Sequence, residues 1–158
     1  MERFFYEAAD ESQTSQLGAA LARVIPDGTV VSLCGTLGAG KTRLVQAIAE
    51  ADGVDRHEVV SPTFVLLHEY AGKRPIYHFD AYRLRDEDEF QELGPEEYFE
   101  SGGVSLVEWA ERVVGCLPRE RIDVRIEVVG ETSRRFEIEA RGARYEEPIR
   151  RLKQILAD

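Results

Sequence analysis

A glycine-rich stretch at residues 35–42 constrains the fold more than any other part of the sequence. It reads Gly-Thr-Leu-Gly-Ala-Gly-Lys-Thr, the pattern of a glycine, four residues, Gly-Lys and Ser or Thr. A short apolar run from Thr29 to Cys34 precedes it, and apolar residues recur at helical spacing from Leu44 to Ala51 after it. A buried strand that passes through such a turn into a helix is typical of a phosphate-binding loop.

The residue types in this loop suit the binding of phosphate. Glycine permits backbone angles that let main-chain N–H groups converge on phosphate oxygens, and the following helix points its positive end at the same anion. We therefore expect phosphate contacts from Gly35, Leu37, Gly38, Ala39 and Gly40.

Two side chains at the end of the loop have further chemistry. Lys41 is expected to place a positive charge on the β- and γ-phosphates of a nucleotide and so to take part in catalysis. The Thr42 hydroxyl is expected to occupy one position in the octahedral shell of Mg²⁺. The alternative, a chance match in an ordinary glycine-rich turn, is disfavoured by the flanking strand and helix.

The composition is that of one α/β domain. The chain has 158 residues, 43% of them hydrophobic, which is enough for a single core, and no apolar run approaches the roughly 20 residues that span a membrane. The first residues lack the long apolar region of a secretory signal, so we expect a cytoplasmic protein with no membrane association. Cys34 and Cys116 are too few for a disulfide framework and are expected to be reduced thiols.

The charge of the chain argues against direct binding of nucleic acid. The formal net charge is −10, whereas a protein that holds DNA or RNA by its phosphates needs a basic face. We interpret the arginines near the C-terminus as a solvated face paired with glutamates. They are Arg134, Arg135, Arg141, Arg144, Arg150 and Arg151.

The order of predicted elements indicates a P-loop NTPase-like α/β domain over residues 1–158. We expect a mostly parallel central sheet with antiparallel hairpin additions and helices on both faces. The predicted strands are Arg3 to Ala8, Thr29 to Cys34, Phe64 to Tyr70, Ile76 to Tyr82, Val104 to Val107, Ile122 to Val129 and Phe136 to Ala140. Besides the helix after the loop, the predicted helices are Thr14 to Ile25, Asp86 to Leu93, Pro95 to Glu100, Trp109 to Val114 and Tyr145 to Leu156.

Two apolar strands are each completed by a carboxylate. The run that starts at Ile76 reaches Asp80, and the run that starts at Val104 reaches Glu108. Ligand groups gather at strand ends in an open α/β sheet, so either carboxylate is a candidate to hold Mg²⁺, directly or through water, or to orient an attacking water. A plain surface position is the alternative for each of them.

The turn at Ser61-Pro62-Thr63 is a candidate switch. Pro62 excludes helix and holds Ser61 extended, so Thr63 is a candidate to reach the γ-phosphate or the metal when a triphosphate is bound. A threonine bonded to the nearby loop backbone is the alternative. The histidines lack metal-site spacing and are interpreted as structural or surface residues. They are His57, His68 and His78.

Four sequence blocks together resemble the TsaE (YjeE) family. They are Gly38 to Thr42, Ser61 to Phe64, His78 to Arg83, and Leu106 to Trp109. The first block is shared with many NTPases and the other three are far more specific. The blocks come in the family order, and the similarity covers nearly the whole chain. This family supplies the small ATPase required in bacterial tRNA threonylcarbamoyladenosine biosynthesis.

The resemblance implies ATP and Mg²⁺ as ligands. By this resemblance Thr42 and Glu108 would lie near the metal, and Asp80 would be the acidic residue of the second NTPase motif. The segment Ser61 to Phe64 would act as a switch.

The resemblance also implies a protein partner. Family members act with the TsaD–TsaB complex, which transfers the threonylcarbamoyl group to adenosine 37 of tRNA, so contact with tRNA would be indirect. Thr14 and Arg134 match positions at the adenine end of the family site. Because no arginine finger is evident in the chain, we expect slow ATP hydrolysis that the partner accelerates.

A small-molecule P-loop kinase is the main alternative. It would need a substrate pocket and an arginine-rich lid, and no segment is an obvious lid, although Arg83 and Arg85 could be recruited. A GTPase switch is excluded, because the chain contains no asparagine for an Asn-Lys-x-Asp motif and no Asp followed three residues later by glycine.

Overall fold

A seven-stranded mixed sheet forms the centre of the fold in the computed structural model, which describes residues 2–157. The strands are β1 (Arg3–Ala8), β2 (Val30–Gly35), β3 (Leu67–Ala71), β4 (Pro75–Asp80), β5 (Val104–Glu108), β6 (Arg121–Val128) and β7 (Arg134–Arg141). The helices are α1 (Glu11–Val24), α2 (Lys41–Ala51), α3 (Glu87–Gln91), α4 (Pro95–Phe99) and α5 (Glu146–Leu156). Within these described residues, none of the helices has the length and apolarity needed to cross a membrane.

The strand order is β1-β7-β6-β2-β5-β4-β3. The four middle strands, β6, β2, β5 and β4, run parallel to one another. At one edge β3 pairs antiparallel with β4, and at the other β7 pairs antiparallel with both β6 and β1. The predicted mostly parallel sheet with antiparallel hairpin additions is confirmed. Because β2, β4 and β5 are parallel, their carboxyl ends lie at the same end of the sheet.

Apolar side chains cover both faces of this sheet. Successive residues of a strand point to opposite faces, and the buried side chains form two clusters. One cluster joins the sheet to α1, α2 and α5 and includes Leu33, Leu44 and Ile149. The other joins it to the region of α3 and α4 and includes Phe90 and Val107. Helices therefore lie on both faces, as predicted.

The predicted helix from Trp109 to Val114 is wrong. Two short 3₁₀ turns, Ala110–Arg112 and Val114–Cys116, occupy this part of the chain. Trp109 has a left-handed φ of 58° directly after β5, and Val113, between the two turns, has a φ of −132°. Neither residue has the backbone angles of a right-handed α-helix, so no continuous helix spans this segment.

The segment before β3 also differs from the prediction. The strand expected from Phe64 begins at Leu67. Leu66 has a φ of 73°, and its N–H donates to the carbonyl oxygen of Pro62 at 2.5 Å, which closes a turn. This turn leaves the Phe64 side chain at the surface, 83% exposed.

Arg74, in the turn between β3 and β4, ties this hairpin to the ends of two helices. Its Nε donates to the carboxylate of Asp52, just after α2, at 2.9 Å. Its Nη groups donate to the carbonyl oxygens of Ala22 and Ile25, at the end of α1, each at 2.8 Å. The Lys73 N–H donates to the Asp52 carbonyl oxygen at 2.7 Å. The hairpin turn is therefore fixed at the end of the parallel strands opposite the glycine-rich loop.

Arginines near the C-terminus form ion pairs, in agreement with their interpretation as a solvated face. Arg135 lies 3.0 Å from the Glu7 carboxylate, and Arg141 lies 2.7 Å from that of Asp123. These guanidinium groups are roughly half exposed, so each pair contributes little to stability.

Candidate functional site

The glycine-rich loop joins the end of β2 to the start of α2, as predicted. Gly38 and Gly40 have φ angles of 78° and 111°, a region that residues with a Cβ rarely adopt. A Cβ added at Gly35 would lie 2.7 Å from the carbonyl oxygen of Ile126 in β6. The backbone therefore requires glycine at these three positions.

Lys41, the first residue of α2, is buried against the loop. The residue is only 5% exposed. Its Nζ donates to the carbonyl oxygens of Gly35 at 2.7 Å and Thr36 at 2.9 Å. Nζ also lies 4.0 Å from the centroid of the Trp109 ring. Burial lowers the pKa of Lys41, and nearby carboxylates, Glu108 foremost, oppose this effect. The ammonium group is a poorly solvated cation beside the loop.

The two predicted carboxylates lie side by side. Asp80 and Glu108 are the last residues of β4 and β5 and are paired in the parallel register of these strands. They are 2% and 3% exposed. The Thr42 hydroxyl, in the first turn of α2, lies 3.0 Å and 2.8 Å from the two Glu108 carboxylate oxygens. Three elements of the fold thus bring these three residues into one group.

Asp80 binds the turn that was predicted to be a switch. The hydroxyls of Ser61 and Thr63 donate to Asp80 Oδ2 at 2.8 Å and 2.9 Å, and the Tyr82 N–H donates to Oδ1 at 2.8 Å. The Thr63 hydroxyl therefore has a carboxylate partner rather than the nearby loop backbone. Any change at the Asp80 carboxylate acts directly on this turn.

His78 contacts a candidate site residue, a link that the sequence analysis did not predict. It is fully buried, and its Nε2 lies 2.5 Å from Glu108 Oε2. It was interpreted as a structural or surface residue because the histidines lack metal-site spacing. A signal was nevertheless present, since His78 is two residues before Asp80 in a strand, and residues at this spacing point to the same face.

Two adjoining cavities collect the predicted site residues. A cavity of about 360 Å³ is lined by Leu37, Lys41, Thr42, Thr63, Asp80 and Glu108, among others. A second, of about 500 Å³, is lined by Thr14, Gly38, Ala39, Gly40 and Arg134, among others. Gly38, Gly40 and Arg43 line both cavities, so the two meet at the loop. Gly35 lines neither of them and instead borders a groove beside Trp109.

The site offers a partial set of ligands for a metal ion. Among residues 2–157, no three or more His, Cys, Asp or Glu side chains are grouped so that they could hold one by themselves. The hydroxyl of Thr42 and the carboxylates of Asp80 and Glu108 nevertheless fit Mg²⁺, which proteins hold through one or two carboxylates together with substrate phosphates and water. These side chains would therefore hold Mg²⁺ in company with a phosphorylated ligand.

Comparison with known proteins decides the family. The family model described as threonylcarbamoyl adenosine biosynthesis protein TsaE matches residues 8–136. The chain belongs to the TsaE family. A Bacillus subtilis (strain 168) relative, named tRNA threonylcarbamoyladenosine biosynthesis protein TsaE, is 40% identical over 147 residues, which are 92% of this chain and 91% of the relative. A Synechocystis relative of the same name is 45% identical over 109 residues, 66% of this chain and 68% of the relative.

A solved structure has the same fold as this TsaE-family chain. The crystal structure of YdiB from Bacillus subtilis matches this chain with a TM-score of 0.82 and 32% sequence identity, over 97% of this chain and 95% of that one. The resemblance drawn from the four sequence blocks is thus confirmed for the family and for the fold. The TsaE relatives are named for the biosynthesis of tRNA threonylcarbamoyladenosine.

Proposed function

We propose that this TsaE-family protein is a cytoplasmic, Mg²⁺-dependent ATP-binding protein and slow ATPase, required to form threonylcarbamoyladenosine at position 37 of tRNA. The observation that carries the proposal is the convergence of Lys41, Thr42, Asp80 and Glu108 on one cavity at the ends of parallel strands. A buried cation, a hydroxyl and two carboxylates beside a glycine-rich loop suit phosphoryl transfer to water. The names of the relatives supply the pathway.

Each residue of this group has a distinct proposed role. Lys41 neutralises charge on the β- and γ-phosphates, because its ammonium is held at the loop with little solvent around it. The Thr42 hydroxyl and the Glu108 Oε2 atom, which are 2.8 Å apart, would hold Mg²⁺. The bound metal would neutralise charge on the phosphates. Asp80 orients water, with or without contact to the metal, and its Oδ2 accepts hydrogen bonds from Ser61 and Thr63 of the switch segment.

The second cavity is the proposed place of the adenine and the ribose. Thr14 comes from α1 and Arg134 from β7, and both line this cavity beside the loop. The Arg134 Nε donates to the carbonyl oxygen of Ala39 at 2.9 Å, which holds the guanidinium against the loop.

The proposed partner is the TsaD–TsaB complex, through which tRNA is reached indirectly. The net charge of −10 favours indirect contact, because direct binding of tRNA would need a basic face. The segment Ser61 to Phe64 is the proposed contact, since its hydroxyls bind Asp80 and its Phe64 ring is exposed to solvent. We expect the complex to bind the ATP-loaded form preferentially through this segment.

ATP hydrolysis by the purified chain, measured with and without the TsaD–TsaB complex and tRNA, tests this proposal. We expect slow turnover by the chain alone and faster turnover with the complex, because an arginine supplied by a partner can add a factor of about 10³ to 10⁵. Fast turnover by the chain alone would contradict the proposal. So would an affinity for the complex that is the same with ATP, ADP and no nucleotide.

Arg83 is the rival source of an arginine within the chain. Its guanidinium lies 4.7 Å from the centroid of the exposed Phe64 ring, on the switch segment itself. If Arg83→Ala slows the isolated protein, then the arginine acts from within this chain. If the variant keeps the basal rate of the parent and is still accelerated by the complex, then Arg83 is not the source of the arginine.

A further inference from the structure

A continuous chain of hydrogen bonds joins Glu108 to the backbone of Val60, the residue just before the switch segment. His78 Nε2 lies 2.5 Å from Glu108 Oε2, and His78 Nδ1 lies 3.1 Å from the Tyr70 hydroxyl. The Tyr70 hydroxyl donates to the carbonyl oxygen of Val60 at 3.3 Å. Glu108, His78 and Tyr70 are all buried, so water does not compete for these contacts.

The contact with Glu108 fixes one side of the imidazole. A carboxylate only accepts hydrogen bonds, so His78 Nε2–H donates to Glu108 Oε2. The other ring nitrogen, Nδ1, faces the Tyr70 hydroxyl, which lies 3.3 Å from the Val60 carbonyl oxygen and 3.3 Å from His68 Nδ1. Contacts at both ring nitrogens therefore hold the imidazole in place, and Tyr70 joins one of these contacts to Val60.

The same short segment reaches both carboxylates by separate routes. Residues 61 and 63 bind Asp80 directly through their hydroxyls. Residue 60 reaches Glu108 through Tyr70 and His78. A change in the path of the 60–63 segment must consequently alter the hydrogen bonds of Asp80, those of Glu108, or both.

We propose that His78 is a positioning residue that holds Glu108 against Thr42, and that Tyr70 makes this position depend on the 60–63 segment. The role of Glu108 at the metal rests on the proposed function, whereas the contacts do not. Departure of Val60 removes one polar contact of the Tyr70 hydroxyl, and Tyr70 is then held less firmly against His78 Nδ1. Groups that orient a metal ligand in this way typically affect metal affinity or activity by about 10- to 100-fold.

His68 provides a matched control on the neighbouring strand. It is paired with His78 in the register of the β3–β4 hairpin, and its Nδ1 lies 3.3 Å from the same Tyr70 hydroxyl. In the part of the chain that the structure describes, no hydrogen bond joins His68 to Glu108. His68→Gln therefore perturbs the surroundings of Tyr70 without touching the carboxylate.

Two substitutions of His78 separate positioning from packing. The amide of His78→Gln can reach the place of Nε2, which faces Glu108, whereas the amide of His78→Asn can reach only the place of Nδ1, which faces Tyr70. We expect His78→Asn to lower kcat by about 10- to 100-fold. The factor by which Mg²⁺ increases the affinity for ATP should fall by about the same amount. His78→Gln should lose much less, Tyr70→Phe should be intermediate, and His68→Gln should match the parent. ATP affinity in EDTA should be the same in all of them.

A double-mutant cycle tests the contact without nucleotide. The loss of Tm in the double variant of His78→Asn and Glu108→Gln should be smaller than the sum of the two single losses. The corresponding cycle with His68→Gln should be additive. Equal kinetic losses in His78→Asn and His78→Gln, together with an additive cycle, would show that His78 only fills space and would overturn the inference. If the parent hydrolyses no ATP but the His78 cycle is coupled, then the proposed function fails and the positioning contact stands.

Discussion

Asp80 and Glu108 are paired across β4 and β5, yet their carboxylates bind opposite sides of the site. Glu108 is held by Thr42 and His78, and Asp80 is held by the turn at residues 61–63. The positive charge of Lys41 interacts favourably with both carboxylates. The pair therefore links the first turn of α2 to the switch segment at the place where Mg²⁺ is proposed.

Removing the charge of either carboxylate should slow ATP hydrolysis without changing the fold. We expect Asp80→Asn and Glu108→Gln each to lower the steady-state rate by at least about tenfold, which corresponds to ~1.4 kcal/mol of transition-state stabilisation. Glu111→Gln, which removes an exposed carboxylate just beyond β5, is the control and should keep the parental rate. A variant that hydrolyses ATP at the rate of the parent would assign its carboxylate to the fold and not to the site.

Lys41→Ala should greatly weaken ATP binding while the protein stays folded. The loop backbone survives this change, but the buried ammonium beside it is lost. Nucleotide affinity can be measured by titration calorimetry and the fold by circular dichroism. Lys73→Ala, an exposed lysine in the β3–β4 turn, removes the same charge at a distance and should bind ATP like the parent. Unchanged affinity in Lys41→Ala would contradict the assignment of the site.

Gly18→Ala should destabilise the protein even though alanine favours helix. A Cβ at Gly18 would overlap the Cβ of Ala47 and lie 3.0 Å from its carbonyl carbon, because α1 and α2 approach closely there. The overlap should cost about 1–3 kcal/mol, more than the ~1 kcal/mol that alanine gains over glycine in a helix. Thermal unfolding measures the result, with Gln16→Ala on the exposed side of α1 as the control. A Tm at or above that of the parent would show that the helices can separate freely.

The Cys34 thiol should react slowly with alkylating reagents. Both cysteines are free thiols, and burial, followed by the charges of Glu111 and Asp123, raises the pKa of Cys34 to about 11. Because only the thiolate reacts, alkylation at pH 8 should be at least about tenfold slower than that of an unstructured cysteine, and should increase as the pH rises toward this pKa. The rate should be measured in the Cys116→Ser background and compared with that in urea. A reaction as fast in the folded chain as in urea would disprove the shift.

The parts of the fold that sequence predicted are those with local, periodic signals. The apolar run at Thr29 to Cys34 and the helical spacing from Leu44 to Ala51 placed β2, the loop and α2. The errors fall where Leu66 and Trp109, which are not glycines, adopt left-handed backbone conformations. Such conformations are held by tertiary contacts, so no local pattern of residue types predicts them.

The same distinction applies to the site. Asp80 and Glu108 could be predicted because each closes an apolar run, and the structure shows that they are neighbours. The link from His78 to Glu108 depends on which strands are adjacent, and β5 is separated from β4 in sequence by two helices. Likewise, the turn of Ser61 and Thr63 has a recognisable sequence, but its partner Asp80 is set by the path of the loop.

Arg74 anchors the turn of the β3–β4 hairpin, so the hairpin is held more firmly at its turn than at the end beside the site. Hydrogen bonds to a charged group contribute about 1.5–3 kcal/mol each, and Arg74 makes three with Asp52, Ala22 and Ile25. A hairpin turn ordinarily opens first and exchanges its amide hydrogens fastest, but this one is bonded to two helix ends. Slow exchange at the turn and faster exchange at residues 59–66 would follow. Any local unfolding coupled to nucleotide binding would then be confined to the segment beside the site. It would not extend to the β3–β4 turn that Arg74 anchors.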